Sequence, residues 1–138
     1  MSFGFVYVLG NRAMPGVYKV GYTERSPSLR CDELSRSTSV PCAFDLICYA
    51  EYAQAHAREQ EIHHRLADVR FSPDREFFKC DLVRITDLVM DEECAVSVSV
   101  HQMDAFLYAD SPTFRERLCM AEELARDVGK ESAGAPRS

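Results

Sequence analysis

Phe5-Val6-Tyr7-Val8-Leu9 and, seven residues later, Val17-Tyr18-Lys19-Val20-Gly21-Tyr22-Thr23 decide the fold of this chain. Both runs are rich in β-branched and aromatic residues, and Gly10, Asn11, Pro15 and Gly16 interrupt them. That pattern predicts two antiparallel strands joined by a connection longer than a tight turn. The first run is apolar throughout, as in a central strand buried on both faces. The second alternates: Val17, Lys19 and Gly21 share one face, and Tyr18, Val20 and Tyr22 the other. A lysine within such a strand is a local inconsistency, and such breaks concentrate at functional positions. The competing reading is a lysine that snorkels to solvent.

Working outward, Ser26-Pro27 has the form of an N-cap and first helical residue, predicting a helix over 27–36. Leu34 lies one turn beyond Arg30, so Arg30 borders the packed side of that helix. Ser37 to Pro41 is a breaker cluster, and Phe44 to Tyr49 reads as a third strand. Over 53–69, Ala55, Glu59, Ile62, His63 and Leu66 fall on one helical face. Arg58, Glu61 and Arg65 fall on the opposite face, where Glu61 and Arg65 can pair. Glu59 and His63 thus sit with the apolar stripe. A carboxylate there is costly unless it is paired or holds a cation. The sequence alone leaves both readings open, the carboxylate pairing with His63 or an arginine, or binding a metal. His64 faces away and reads as a surface residue. Residues 74–80 predict a short strand carrying Glu76 and the pair Phe77-Phe78, and a helix should run over 82–91. Residues 94–108 are ambiguous between an edge strand and a helix. Ser111-Pro112 starts another helix to Val128, with Phe114, Leu118, Ala121, Leu124 and Val128 at helical spacing.

The 138 residues suit one domain with an appendage. The net charge of −6 arises entirely after residue 80: residues 1–80 carry ten Lys/Arg and ten Asp/Glu, and residues 81–138 carry six and twelve. The first part is the better nucleic-acid binder, because the acidic remainder repels phosphate. Six cysteines without paired spacing, and no CxxC, argue for reduced thiols and against a zinc ribbon. No signal peptide or membrane span is legible, so the expected location is cytoplasmic.

The ordered set resembles the GIY-YIG nuclease superfamily. The first motif would be Phe5-Val6-Tyr7 and the second Lys19-Val20-Gly21, with Arg30 as the arginine and Glu59 as the glutamate. More closely it is similar to a phage and bacterial branch with the second motif YK[IV]GYT (here Tyr18 to Thr23). That branch also carries R-x-x-x-L (Arg30 to Leu34), E-x-x-[IL]-H (Glu59 to His63) and a terminal REFF (Arg75 to Phe78). The resemblance covers about residues 3–82. Phe5 stands in place of the first motif's glycine, Lys19 in place of the second's tyrosine, and Leu34 where many members have His or Tyr.

The resemblance implies an α/β (α+β) fold with a small, mostly antiparallel three-stranded sheet flanked by helices over 1–82, the nuclease-like domain. Beyond it, helical spacing and composition predict 83–128 as a mostly helical acidic C-terminal extension and 129–138 as a disordered tail. The resemblance also implies a DNA endonuclease using Mg²⁺ or Mn²⁺. Glu59 would hold the metal, Arg30 the phosphate, and Tyr7 with Lys19 would activate water. His63 would be a proton shuttle or support Glu59. Tyr18, Gly21, Thr23, Arg25 and Glu76 would line the substrate. The alternative is an inactive module of the same fold that binds nucleic acid or a partner protein, with the 112–128 helix offering a dimer or partner surface.

Overall fold

In the computed structural model, residues 3–36, 42–71 and 76–100 are described. The hairpin forms as β1 (Gly4–Gly10) and β2 (Val17–Thr23), paired antiparallel with Tyr7 opposite Gly21 and Leu9 opposite Lys19. Helix α1 (Pro27–Ser35) follows, its N-cap Ser26 accepting from Leu29 N–H. Strand β3 (Asp45–Tyr52) pairs with the other side of β1. Helix α2 (Ala55–Arg65), a short 3-10 turn (Ala67–Val69), β4 (Phe77–Lys79), α3 (Leu82–Val89) and β5 (Ser97–Val100) complete the order.

The sheet has five strands in the order β4-β2-β1-β3-β5, all antiparallel, not the three expected. Two short segments make the difference. Strand β4 closes onto Val17–Lys19 of β2, and β5 adds to Cys48–Glu51 of β3. Residues 82–100 therefore build on the same sheet as the hairpin. The 112–128 helix and the 129–138 tail lie outside the described residues.

β1 is central, and Val6, Tyr7, Val8 and Leu9 are all buried. Alternation divides its neighbours between two cores. On one face Val6, Val8, Tyr18, Val20, Ala50 and Phe78 pack against Ile62 of α2, Leu66 at its C-cap, and Leu82, Ile85 and Val89 of α3. On the other, Tyr7, Leu9, Phe44 and Leu46 meet Cys31 of α1, flanked by Leu34 and Phe77. Arg58 departs from the solvent-facing position its helical phase suggests. Helix α3 covers it, its guanidinium donates to Leu88 O at 2.8 Å and lies over the Tyr52 ring. Glu61 and Arg65 do pair, at 2.8 Å, and His64 is exposed. Among the described residues no helix is long and apolar enough to cross a membrane, and Cys31, Cys42, Cys48, Cys80 and Cys94 are free thiols.

Candidate active site

The site begins where β4 ends. β4 pairs with only three residues of β2, so from Val20 onward the outer edge of β2 needs other partners for its backbone. Val20 N–H donates to Glu76 O at 3.2 Å. Val20 O is 2.7 Å from His63 Nε2. A carbonyl can only accept, so Nε2 carries the proton and, in the neutral ring, Nδ1 keeps the lone pair. One backbone residue thereby anchors both the Glu76 segment and the His63 ring.

Those anchors bring Glu59, His63 and Glu76 together. One ligand-type atom from each lies within 4.8 Å of the others. Glu59 is 2 % exposed, and its carboxylate accepts from Gln60 Nε2 at 2.8 Å. No lysine or arginine among the described residues forms an ion pair with it. Burial pushes its pKa up, and the charge of Glu76 adds to this; His63 partly opposes it. The carboxylate is thus out of water and, among the described residues, beside no lysine or arginine.

Lys19 does not snorkel. Its side chain is 13 % exposed, and Nζ sits 2.9 Å from Glu76 Oε2 and 5.5 Å from the centre of the Phe77 ring. The cation beside Tyr7 is instead Arg30, which favours the ionised form of the phenol. Tyr7 lies across Gly21, where an added Cβ would come 2.5 Å from the phenol oxygen. Glycine at 21 is required for this approach. Burial raises the phenol pKa, and Arg30 only partly offsets that. Tyr7 is therefore a phenol at neutral pH.

Arg30 is held in turn by Glu33. Burial works against its charge, but Tyr7 and Glu33 outweigh that and raise its pKa. Arg25 Nη2 reaches the same Glu33 at 2.9 Å, and Arg30 Nη1 at 3.2 Å. The two bonds lower the Glu33 pKa, that from Arg30 most. Tyr22, Thr23, Glu24, Arg25 and Arg30 line an open depression of about 440 Å³ beside this pair. Thr23 itself is buried, and its hydroxyl accepts from Arg25 N–H at 3.1 Å.

Of the residues expected at the site, Tyr7, Arg30, Lys19, Glu59, His63 and Glu76 converge, and Gly21, Thr23 and Arg25 border them. Tyr18 does not: it is 2 % exposed, in the core under α2 and α3. Sequence reading missed His56, whose ring stacks on Tyr22 at 4.5 Å. Its place three residues before Glu59 on α2 was the available signal. It also missed Glu33, which ties down both arginines.

An α+β domain with arginines and a carboxylate–imidazole cluster on one sheet edge suits a protein that handles phosphate. The chain belongs to the T5orf172 domain family, whose model matches residues 4–92. That is a nuclease-like, DNA-binding family. It is a different family from GIY-YIG, and no GIY-YIG match is found, so the assignment suggested by the motifs is corrected. Motifs of two or three residues specify a strand pair and two helices at a given spacing, which is less than a family. No curated protein and no solved structure matches the chain.

Proposed function

We propose that this domain is a metal-dependent endonuclease that hydrolyses phosphodiester bonds in DNA. The observation that carries the reading is the meeting of the Tyr7–Arg30 pair with the Glu59, His63 and Glu76 cluster at one sheet edge. A phosphodiester needs its charge neutralised, a water aligned for attack and relief for the leaving oxygen. Arg30 would bind a non-bridging phosphate oxygen, with Arg25 contacting a neighbouring phosphate across the open depression. Tyr7, a neutral phenol beside Arg30, would donate its hydroxyl hydrogen to the phosphate or the water, and so orient rather than deprotonate. Lys19 acts through Glu76, which it holds in place.

The donor set fits a divalent cation. Glu59 is a buried carboxylate that forms no ion pair with a lysine or arginine among the described residues, and Glu76 stands close enough to repel it. Glu59 would hold Mg²⁺ or Mn²⁺. When bound, such an ion neutralises phosphate charge and lowers the pKa of a bound water.

The test is nicking of supercoiled plasmid with and without Mg²⁺ or Mn²⁺, beside Glu59→Gln. Metal-dependent nicking lost in the variant is the expected result. A folded wild-type chain that binds DNA and cuts none would make the domain a binding module.

A further inference from the structure

We propose that Glu59, His63 and Glu76 form one three-ligand site for a divalent transition cation, preferring Mn²⁺ to Mg²⁺, in which His63 and Glu76 are ligands alongside Glu59. The proposal rests on the reading of Glu59 as the metal residue and extends it to two residues otherwise read as a proton shuttle and a substrate contact.

Four observations converge. The three donor atoms lie within 4.8 Å of one another. An octahedral ion bound at about 2.1 Å to each would hold neighbouring donors about 3 Å apart, so the two carboxylates would close on the ion by rotating about their side-chain torsions. Glu59 is almost fully buried and meets no lysine or arginine among the described residues, which independently calls for a cation from outside the chain. His63 is held as metal-binding histidines usually are: a backbone carbonyl takes one ring N–H, fixing the tautomer and leaving the other nitrogen free to ligate. Finally, the ligands come from fixed elements. Glu59 and His63 stand one turn apart on α2, and the Glu76 carbonyl is pinned to Val20 N–H. A donor set of two carboxylates and one imidazole favours an ion that accepts nitrogen as well as oxygen. Mg²⁺, which relies on oxygen ligands and its own waters, gains least from His63.

The experiment is a Mn²⁺ titration of the full chain without DNA, followed by EPR, with pulsed EPR to detect nitrogen coupled to the bound ion. One Mn²⁺ per chain, with nitrogen coupling and at least tenfold tighter binding than Mg²⁺ in competition, is expected. Glu59→Gln should abolish binding. Glu76→Gln and His63→Gln should each weaken it at least tenfold, the nitrogen signal vanishing only in the latter. Wild-type binding without nitrogen coupling, or Glu76→Gln binding within twofold of wild type, would overturn the proposal. Glu76 is half-exposed and outside the core, so its variant decides even if His63→Gln fails to fold. A three-ligand site without plasmid nicking retires the nuclease reading alone. Nicking that depends on Glu59, with Mn²⁺ affinity indifferent to Glu76 and His63, retires the three-ligand site alone.

Discussion

The two faces of the sheet use the same strands for different ends. Val6, Val8, Tyr18 and Val20 look toward α2 and α3 and build the larger apolar core, with His63 of α2 at its edge against Phe78 and Val20 O. Tyr7, Leu9, Lys19 and Gly21 look toward α1, a nine-residue helix with only Pro27 and Cys31 fully buried. The second face is thinly covered, and its Tyr7 and Lys19 approach Glu59 and Glu76 around the open edge of β2. Adjacent residues of one strand therefore do unlike work: Val20 fills a core while Lys19 and Gly21 serve the site. Period-two alternation makes this possible, because a side chain can be devoted to chemistry without opening the core behind it.

The sharpest way to break the comparison is to mutate the site and the apolar core separately and measure both properties. Glu59→Gln should reduce nicking by roughly a thousandfold or more, the scale of losing charge stabilisation at phosphorus. Its metal-free melting temperature should not fall, because the change removes a buried carboxylate without a cation. Ile85→Ala, in the apolar core under α3, should cost about 2–5 kcal/mol of stability while leaving nicking per folded molecule unchanged. Denaturant unfolding beside the plasmid assay reads both. If Ile85→Ala lowered specific activity as far as Glu59→Gln, core and site would not be separable.

Gly21→Ala should fall between these extremes. Its Cβ would meet the Tyr7 ring and oxygen. Displacing the ring costs about 1–3 kcal/mol. Misplacing the Tyr7–Arg30 pair by about 1 Å would lower nicking by roughly a hundredfold. A crystal structure of the variant would show whether the ring or the strand moves.

Tyr7→Phe sharpens the role of the phenol. Burial raises the Tyr7 pKa above its ordinary value of 10.0. The native state thus holds this proton more tightly than the unfolded chain does. The resulting stability is complete below pH 10 and is lost as pH rises through the native value. The Phe variant should lack that share of the alkaline loss. Between pH 6 and 8 the group stays protonated, so the variant should cut about tenfold slower with the same pH profile. A profile whose slope disappears in the Phe variant would instead make Tyr7 the base.

Much of the hairpin was legible because it obeys a strict period. Lys19 stood out as the one residue that breaks it, and Glu59 as the charge on an apolar helical stripe. Less was legible where partners are distant. Glu76 lies 57 residues from Lys19 in the chain, and nothing local joins them. Arg58 read as solvent-facing because helical phase sees one helix at a time, and α3 was needed to cover it. β5 is four residues of Ser and Val, too short and too polar to be told from a helix end by pattern. The family, too, escaped the short motifs, while the convergence of Tyr7, Arg30 and Glu59 did not depend on it.

The smallest expected effect concerns Lys19, the lysine that the site-bearing face holds inward. Its ammonium is bound to Glu76 and is nearly buried. If Glu76 is a ligand, lysine and metal draw on the same carboxylate, and the lysine competes. Lys19→Met keeps the stem that packs near Phe77 and removes the charge. Mn²⁺ should then bind roughly threefold more tightly, the modest scale of a partly exposed ion pair. Nicking should still fall, because Glu76 loses the contact that positions it. Tighter metal with slower cutting would separate Lys19's two effects. Weaker metal binding would mean that Lys19 holds Glu76 in place for the ion and does not compete with it.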